Sequence, residues 1–136
     1  MKKNLITIIS DDDEGHTILI KKNLQRVGIT NNILNFKNGE ETLNYLNKKK
    51  IENLNKNNYL LLLDIRMPKI NGIEVLQKMK KDRKLCAIPV IIITTTDDPK
   101  EIGLCNELGC VDYIVKPIDY EKFSKAIYSL GFLNNQ

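Results

Sequence analysis

The sequence predicts an α/β protein: one five-stranded parallel sheet flanked by five helices. Three observations predict it. Short apolar runs alternate strictly with amphipathic segments, five of each, the pattern of strands joined by helical crossovers on both faces of a sheet. The runs at 59–63 and 90–93 are apolar at every position rather than at every second one, as in strands covered on both faces. The length, 136 residues, suits a single domain with a self-sufficient core.

Taken in order, Leu5-Ile6-Thr7-Ile8-Ile9 is a strand, too short to stand as a helix. Thr17 to Val27 carries apolar residues at Ile18, Leu19, Leu24 and Val27, a helical pattern stopped by Gly28. Ile33 to Phe36 is a weaker second strand. Asn38, three residues ahead of Glu41, opens a helix through Leu46 as a capping-box variant. Tyr59 to Leu63 is the third strand, and Gly72 to Met79 is amphipathic, with Ile73, Leu76 and Met79 on one side. Val90 to Ile93 is the fourth strand. Asp98-Pro99 is an N-cap followed by proline at the first helical position, and that helix ends near Gly109. Val111 to Val115 is the fifth strand, and Asp119 caps a last helix to Leu130, ended by Gly131. The stretch Asn47–Asn58 holds four Lys, five Asn and only two apolar residues. It reads as a polar surface insertion, with a partner-specific basic loop as the functional alternative.

Composition narrows the function classes. Hydrophobic residues make up 42% and charged residues 28%, an ordinary soluble globular balance. The net charge of +4 is mild and dispersed, a solubility feature rather than a nucleic-acid footprint. Cys86, Cys105 and Cys110 are odd in number, with no CxxC pair and no neighbouring His, so reduced packing thiols in a cytoplasmic protein are expected. No apolar run approaches the ~18 residues of a membrane span. The basic start Met1-Lys2-Lys3-Asn4 precedes too short an apolar stretch for a signal peptide.

In an open α/β sheet, ligands bind beyond the carboxyl ends of the strands. Asp11, Asp12, Asp13 and Glu14 follow the first strand; Asp64, Arg66, Met67 and Pro68 follow the third; Thr94, Thr95 and Thr96 follow the fourth; Lys116-Pro117 follows the fifth. If those strands are neighbours, carboxylates, a hydroxyl and one ammonium meet on one rim. Two carboxylates about 4 Å apart repel by ~4 kcal/mol at an effective dielectric near 20, so several with a single Lys call for a compensating cation. All-oxygen ligation suits Mg²⁺. The bland alternative, helix caps and solvated acids, fits Asp13 and Glu14 and fits Asp64 poorly, because an acid directly after a four-Leu run is costly unless paired or coordinated. Beside such a cation, a strand-tip carboxylate can attack phosphorus and form an aspartyl-phosphate, with Lys116 and the Thr94 hydroxyl on other phosphoryl oxygens. His16, beside the acids in the first helix, is read as having no chemical role.

From Leu5 to Leu130 the chain resembles the receiver domain of two-component response regulators. The pair Asp11-Asp12 matches the family's metal-binding acids. Asp64 in LLLLDIRMPKINGIEVL matches the phosphoacceptor and its D-x-x-M-P-x-x-x-G motif, Thr94 in PVIIITTT the switch threonine, Lys116-Pro117 the lysine and its cis-proline, and Tyr113 the rotameric switch aromatic. The spacings agree too, 30 residues from Asp64 to Thr94 and 22 from Thr94 to Lys116. DDDEGH, TTTDDP and LGCxxYxxKPxDYExF are similar to single-domain regulators associated with phytochrome-type sensor kinases.

The resemblance implies a flavodoxin-like fold with strand order 2-1-3-4-5. It also implies a phosphoacceptor switch with intrinsic phosphotransfer and autodephosphorylation rather than an enzyme in its own right. Asp64 would accept phosphate from a sensor histidine kinase or a phosphotransfer protein. Asp12 would ligate Mg²⁺ directly, Asp11 through water, and the Arg66 backbone carbonyl would add an oxygen. Lys116 would contact the phosphoryl group, and Thr95 would tune its hydrolysis. Thr94 would draw inward and Tyr113 rotate in, repacking the face of the fourth helix, fifth strand and fifth helix; that face is also the candidate surface for a homodimer, with monomer and dimer both left open. The regulator is expected to act alone, without an output domain, a nucleic-acid target or a membrane. A phosphatase of the aspartyl-nucleophile class wants an acid two residues after the nucleophile, where this chain has Arg66. A degenerate docking module fits the intact acids poorly.

Overall fold

Five parallel strands, β1 (Ile6–Ser10), β2 (Ile33–Phe36), β3 (Tyr59–Leu63), β4 (Val90–Thr94) and β5 (Asp112–Val115), form one sheet in the order β2-β1-β3-β4-β5. The computed structural model describes residues 5–52 and 58–131. The strands alternate with α1 (Glu14–Arg26), α2 (Gly39–Ile51), α3 (Gly72–Lys80), α4 (Pro99–Glu107) and α5 (Tyr120–Ser129). The central strands β3 and β4 are buried at all five positions each, whereas the edge strand β2 is only half-buried.

Side-chain alternation along β3 divides the core in two. Leu61 and Leu63 pack with Ile8, Ile92, Val75, Leu76 and Met79 on the face covered by α2 and α3; Leu60 and Leu62 pack with Ile9, Ile91, Ile20, Leu24, Phe123 and Ile127 on the face covered by α1 and α5. Successive strand residues point to opposite faces, so a run of four leucines serves both layers at once. Each such side chain contributes ~1.5–3 kcal/mol on burial.

Every helix begins at a side-chain cap. Asp13, Asn38, Asn71, Asp98 and Asp119 each accept a hydrogen bond from a backbone N–H in the first turn, which satisfies donors the helix cannot. At Asn38 the cap is a variant of the capping box: Oδ1 accepts from the Glu41 N–H, and the side-chain Nδ2, in place of the backbone N–H, donates to Glu41 Oε2.

The polar stretch departs from expectation. Helix α2 does not stop at Leu46 but runs through Asn47–Lys50 to Ile51. Lysine is a good helix former, three of them occupy the last turn where cations suit the helix dipole, and Lys49 pairs with Glu52 at 3.3 Å. The remainder of the supposed insertion, 53–57, lies outside the described residues.

Candidate functional site

The site grows from the register of the sheet. β1 pairs with β3 so that Ser10 lies beside Leu63, and the Asp64 N–H donates to the Ser10 carbonyl at 2.9 Å. The two acids that follow, Asp11 and Asp64, therefore emerge from adjacent strand ends. On the other side the Lys116 N–H donates to the Thr94 carbonyl at 2.7 Å, which holds the turn after β5 against the end of β4. The Lys116–Pro117 peptide is cis.

Gly72 completes the wall. A Cβ there would lie 2.1 Å from the Asp64 carbonyl oxygen, so only glycine lets the start of α3 approach the backbone of Asp64, where its N–H donates to the Ile65 carbonyl at 2.9 Å. This is the physical content of the glycine in the 64–72 motif. Met67, almost buried, accepts a hydrogen bond from the Ser10 hydroxyl at 3.3 Å and packs into the core beneath the acids. It shapes the loop.

Carboxylate oxygens of Asp11, Asp12 and Asp64 all lie within 4.8 Å of one another. Asp11 and Asp64 are buried and Asp12 is exposed. The Lys116 ammonium, its side chain only 6% exposed, donates to Asp11 Oδ2 at 2.7 Å and to Asp64 Oδ2 at 3.3 Å. Burial pushes the Asp11 carboxyl above its ordinary value, and this outweighs the hydrogen bonds from Lys116 and from the Asp13 N–H that pull it down. Asp13 is the cap of α1; the His16 N–H bonded to its carboxylate holds it below the ordinary value.

Three carboxylates against one ammonium leave excess negative charge in a partly desolvated pocket. Their donor set, all hard oxygens with one exposed member, fits a divalent cation of the Mg²⁺ type. Asp11, Asp12 and Asp64 are the residues that would hold it.

The remaining sequence-expected residues lie at the end of β4 and on β5. Thr94 is fully buried at the end of β4, and its hydroxyl accepts a long bond of 3.5 Å from the Thr96 N–H. Thr95 is exposed and lines a cavity with Lys116. Tyr113 is half-buried against the core, and its hydroxyl already donates to the Thr96 carbonyl at 2.8 Å. Burial raises that phenol to about 12, so it acts as a donor at neutral pH.

Two features escaped sequence reasoning. The His16 ring reaches Lys116, with Nδ1 2.7 Å from the ammonium. The Arg66 side chain, not only its backbone, takes part: the guanidinium donates to Thr96 Oγ1 at 3.3 Å and to Glu101 Oε1 at 2.9 Å. It ties the loop after β3 to the loop after β4 and to the first turn of α4. The sequence held a faint signal for the second contact, a basic residue two positions past the acid and an acid in the first turn of α4. For the first it held none.

With this geometry in hand, the chain can be placed among known proteins. A family model described as the response regulator receiver domain matches residues 7–128. The chain belongs to that family. A receiver domain of Rhodospirillum rubrum is 42% identical and superposes with a TM-score of 0.75, covering 93% of this chain and 92% of that one. The bacteriophytochrome response regulator RtBRR is 31% identical with a TM-score of 0.79, covering 97% of this chain and 83% of that one. The chemotaxis protein CheY homolog of Campylobacter jejuni is 30% identical over 110 residues, 81% of this chain and 79% of that protein. The chain spans between 38% and 56% of the length of four further curated relatives.

Receiver domains act as phosphoacceptor switches in two-component signalling. The flavodoxin-like topology and the strand order 2-1-3-4-5 agree with that membership. Among the described residues no helix is long and apolar enough to cross a membrane.

Proposed function

We propose that this receiver domain accepts a phosphoryl group on Asp64 from the phosphohistidine of a sensor histidine kinase or a phosphotransfer protein. The observation that carries the reading is the buried Asp64 carboxylate at the tip of β3, 3.3 Å from a buried ammonium and within 4.8 Å of two further carboxylates. Asp11, Asp12, Asp64 and the Arg66 backbone carbonyl would hold Mg²⁺, which when bound would neutralise the phosphoryl oxygens. An Asp64 oxygen forms the new bond to phosphorus, the N–P bond of the phosphohistidine breaks, and its electron pair returns to the imidazole. Lys116 donates to one phosphoryl oxygen, Thr94 turns its hydroxyl toward another, and Thr95 stands where it affects access of the hydrolytic water.

The signal leaves through the face made by α4, β5 and α5. Tyr113 is already hydrogen-bonded to the Thr96 carbonyl, so in this reading the inward pull of Thr94 locks the ring in place. A local charge change thus biases an element with two arrangements. The same face is the candidate surface for a homodimer in the phosphorylated state, with a monomer as the alternative. The likeness to bacteriophytochrome response regulators at 31% and 30% identity supports a phytochrome-type kinase as the donor, and three free cysteines support a reducing, cytoplasmic setting.

The test is incubation with acetyl phosphate and Mg²⁺, followed by mass spectrometry of the intact protein and its peptides. A phosphoryl adduct on Asp64 is expected, with none in Asp64→Asn. Equal labelling of that variant would show that a different acid is the acceptor. Sedimentation with and without beryllofluoride reads the dimer in the same samples.

A further inference from the structure

The Lys116 ammonium has three N–H donors and no acceptor, and all three are engaged: with Asp11 Oδ2 at 2.7 Å, with Asp64 Oδ2 at 3.3 Å and with His16 Nδ1 at 2.7 Å. Because the ammonium only donates, Nδ1 accepts and the ring proton sits on Nε2. His16 lies in the first turn of α1 and joins Leu19, Thr95, Pro117 and Ile118 around a cavity of about 280 Å³ beside the ammonium. The ring also has the Asp13 carboxylate 3.9 Å from Nδ1, and it shares the ammonium with the carboxylates of Asp11 and Asp64.

A phosphoryl oxygen on Asp64 needs one of these three donors, and the partners differ in what their release costs. Asp11 is 1% exposed, and freeing it strands a buried carboxylate, the expensive way to break an ion pair. Asp64 is itself the esterified residue. His16 is a neutral acceptor whose side chain is 35% exposed, so water replaces the ammonium there at small cost. The donor held by His16 is the one free to move.

We propose that His16 is a positioning residue that holds the Lys116 ammonium off Asp64 before phosphorylation and yields that donor to the phosphoryl group afterwards. The inference rests on Asp64 being the phosphoacceptor. The distances carry its imprint: the ammonium sits at 2.7 Å from Asp11 and from His16 and at 3.3 Å from the carboxylate that must attack. An oxygen gripped tightly by an ammonium is a poorer nucleophile, so a long contact favours attack on phosphorus. In the exchange one N–H···Nδ1 bond gives way to one N–H···O–P bond, and no proton changes owner.

Two variants separate the acceptor from the bulk of the ring. His16→Leu keeps size and removes the acceptor, letting the ammonium close on Asp64; His16→Asn returns an oxygen near the place of Nδ1. With acetyl phosphate and Mg²⁺, His16→Leu is expected to label about tenfold more slowly, the factor associated with one hydrogen bond to a charged group, and His16→Asn to recover the rate. In the nitrogen NMR spectrum of the protein without divalent ions, His16 Nδ1 is expected at a hydrogen-bonded acceptor position and is expected to lose that bond with beryllofluoride and Mg²⁺. A labelling rate in His16→Leu equal to wild type, or an Nδ1 signal that beryllofluoride leaves unmoved, overturns the role given to His16. Absence of label on the wild type is a different result: it overturns the Asp64 reading and this one with it.

Discussion

Without divalent cations, Asp64→Asn is expected to make the protein more stable while abolishing its capacity to be phosphorylated. At an effective dielectric near 20, Lys116 at 3.3 Å attracts the Asp64 carboxylate by ~5 kcal/mol, and each of two carboxylates within 4.8 Å repels it by ~3.5 kcal/mol or more. Repulsion exceeds attraction by ~2 kcal/mol. Water around the exposed Asp12 screens part of its share, and desolvation of a carboxylate only 8% exposed adds to the penalty. Removing the charge while keeping the shape should therefore release about 1–2 kcal/mol, since the amide oxygen can still accept from the Arg66 N–H that now bonds Oδ1 at 3.3 Å. For a chain of this size that is an upward shift in Tm of roughly 3–7 °C.

Calorimetry in a chelator reads the shift directly. With Mg²⁺ at a hundred times its Kd the wild type gains ~2.7 kcal/mol by mass action, whereas the variant, short of one ligand, gains less, so the order of stability closes or inverts. An Asp64→Asn protein that melts at or below the wild-type temperature in chelator would refute the charge accounting and the claim that the pocket is built for a cation.

Two further outcomes test the surroundings. Burial raises the Asp11 carboxyl above 3.8 in the folded protein, so the fold takes up that proton before the unfolded chain does. The metal-free protein should gain stability as pH falls through the raised value toward 3.8, and Asp11→Asn should lack that gain, read as the difference between two pH series of urea midpoints. Gly72→Ala places a methyl group 2.1 Å from the Asp64 carbonyl oxygen. It should cost more than ~2 kcal/mol and weaken beryllofluoride binding, because the backbone of Asp64 has to move; unchanged melting and binding would show that α3 does not brace the site.

The sequence made the strands legible wherever both faces are covered, because LLLL at 60–63 and VIII at 90–93 leave no polar face to misplace. It made the caps legible because Asn38, Asp98 and Asp119 act within a few residues of themselves. The error at Asn47–Ile51 has the opposite cause. The polarity of that segment points to a loop, yet three lysines near a helix C-terminus are stabilised there whatever they pack against. Asp11, Asp64 and Lys116 could be picked out because each directly follows a strand. His16 could not, since its bond to Lys116 spans 100 residues and exists only once the sheet has formed.

That bond and its neighbours expose a constraint on which residue types can occupy the strand tips. Asp11 follows β1 and Lys116 follows β5, and in the order β2-β1-β3-β4-β5 these strands lie three places apart, about 14 Å at the usual strand spacing. Yet Lys116 Nζ touches Asp11 Oδ2 at 2.7 Å. Short carboxylates suffice at β1 and β3 because those strands are adjacent, and a group coming from β5 has to reach across the end of β4. A four-carbon stem does so while burying its methylenes, and the fully buried Thr94 at the end of β4 presents little bulk in its path. A bulkier residue at position 94 would lift the ammonium away from both acids, so the small Thr94 side chain and the long lysine are one geometric requirement met by two strands.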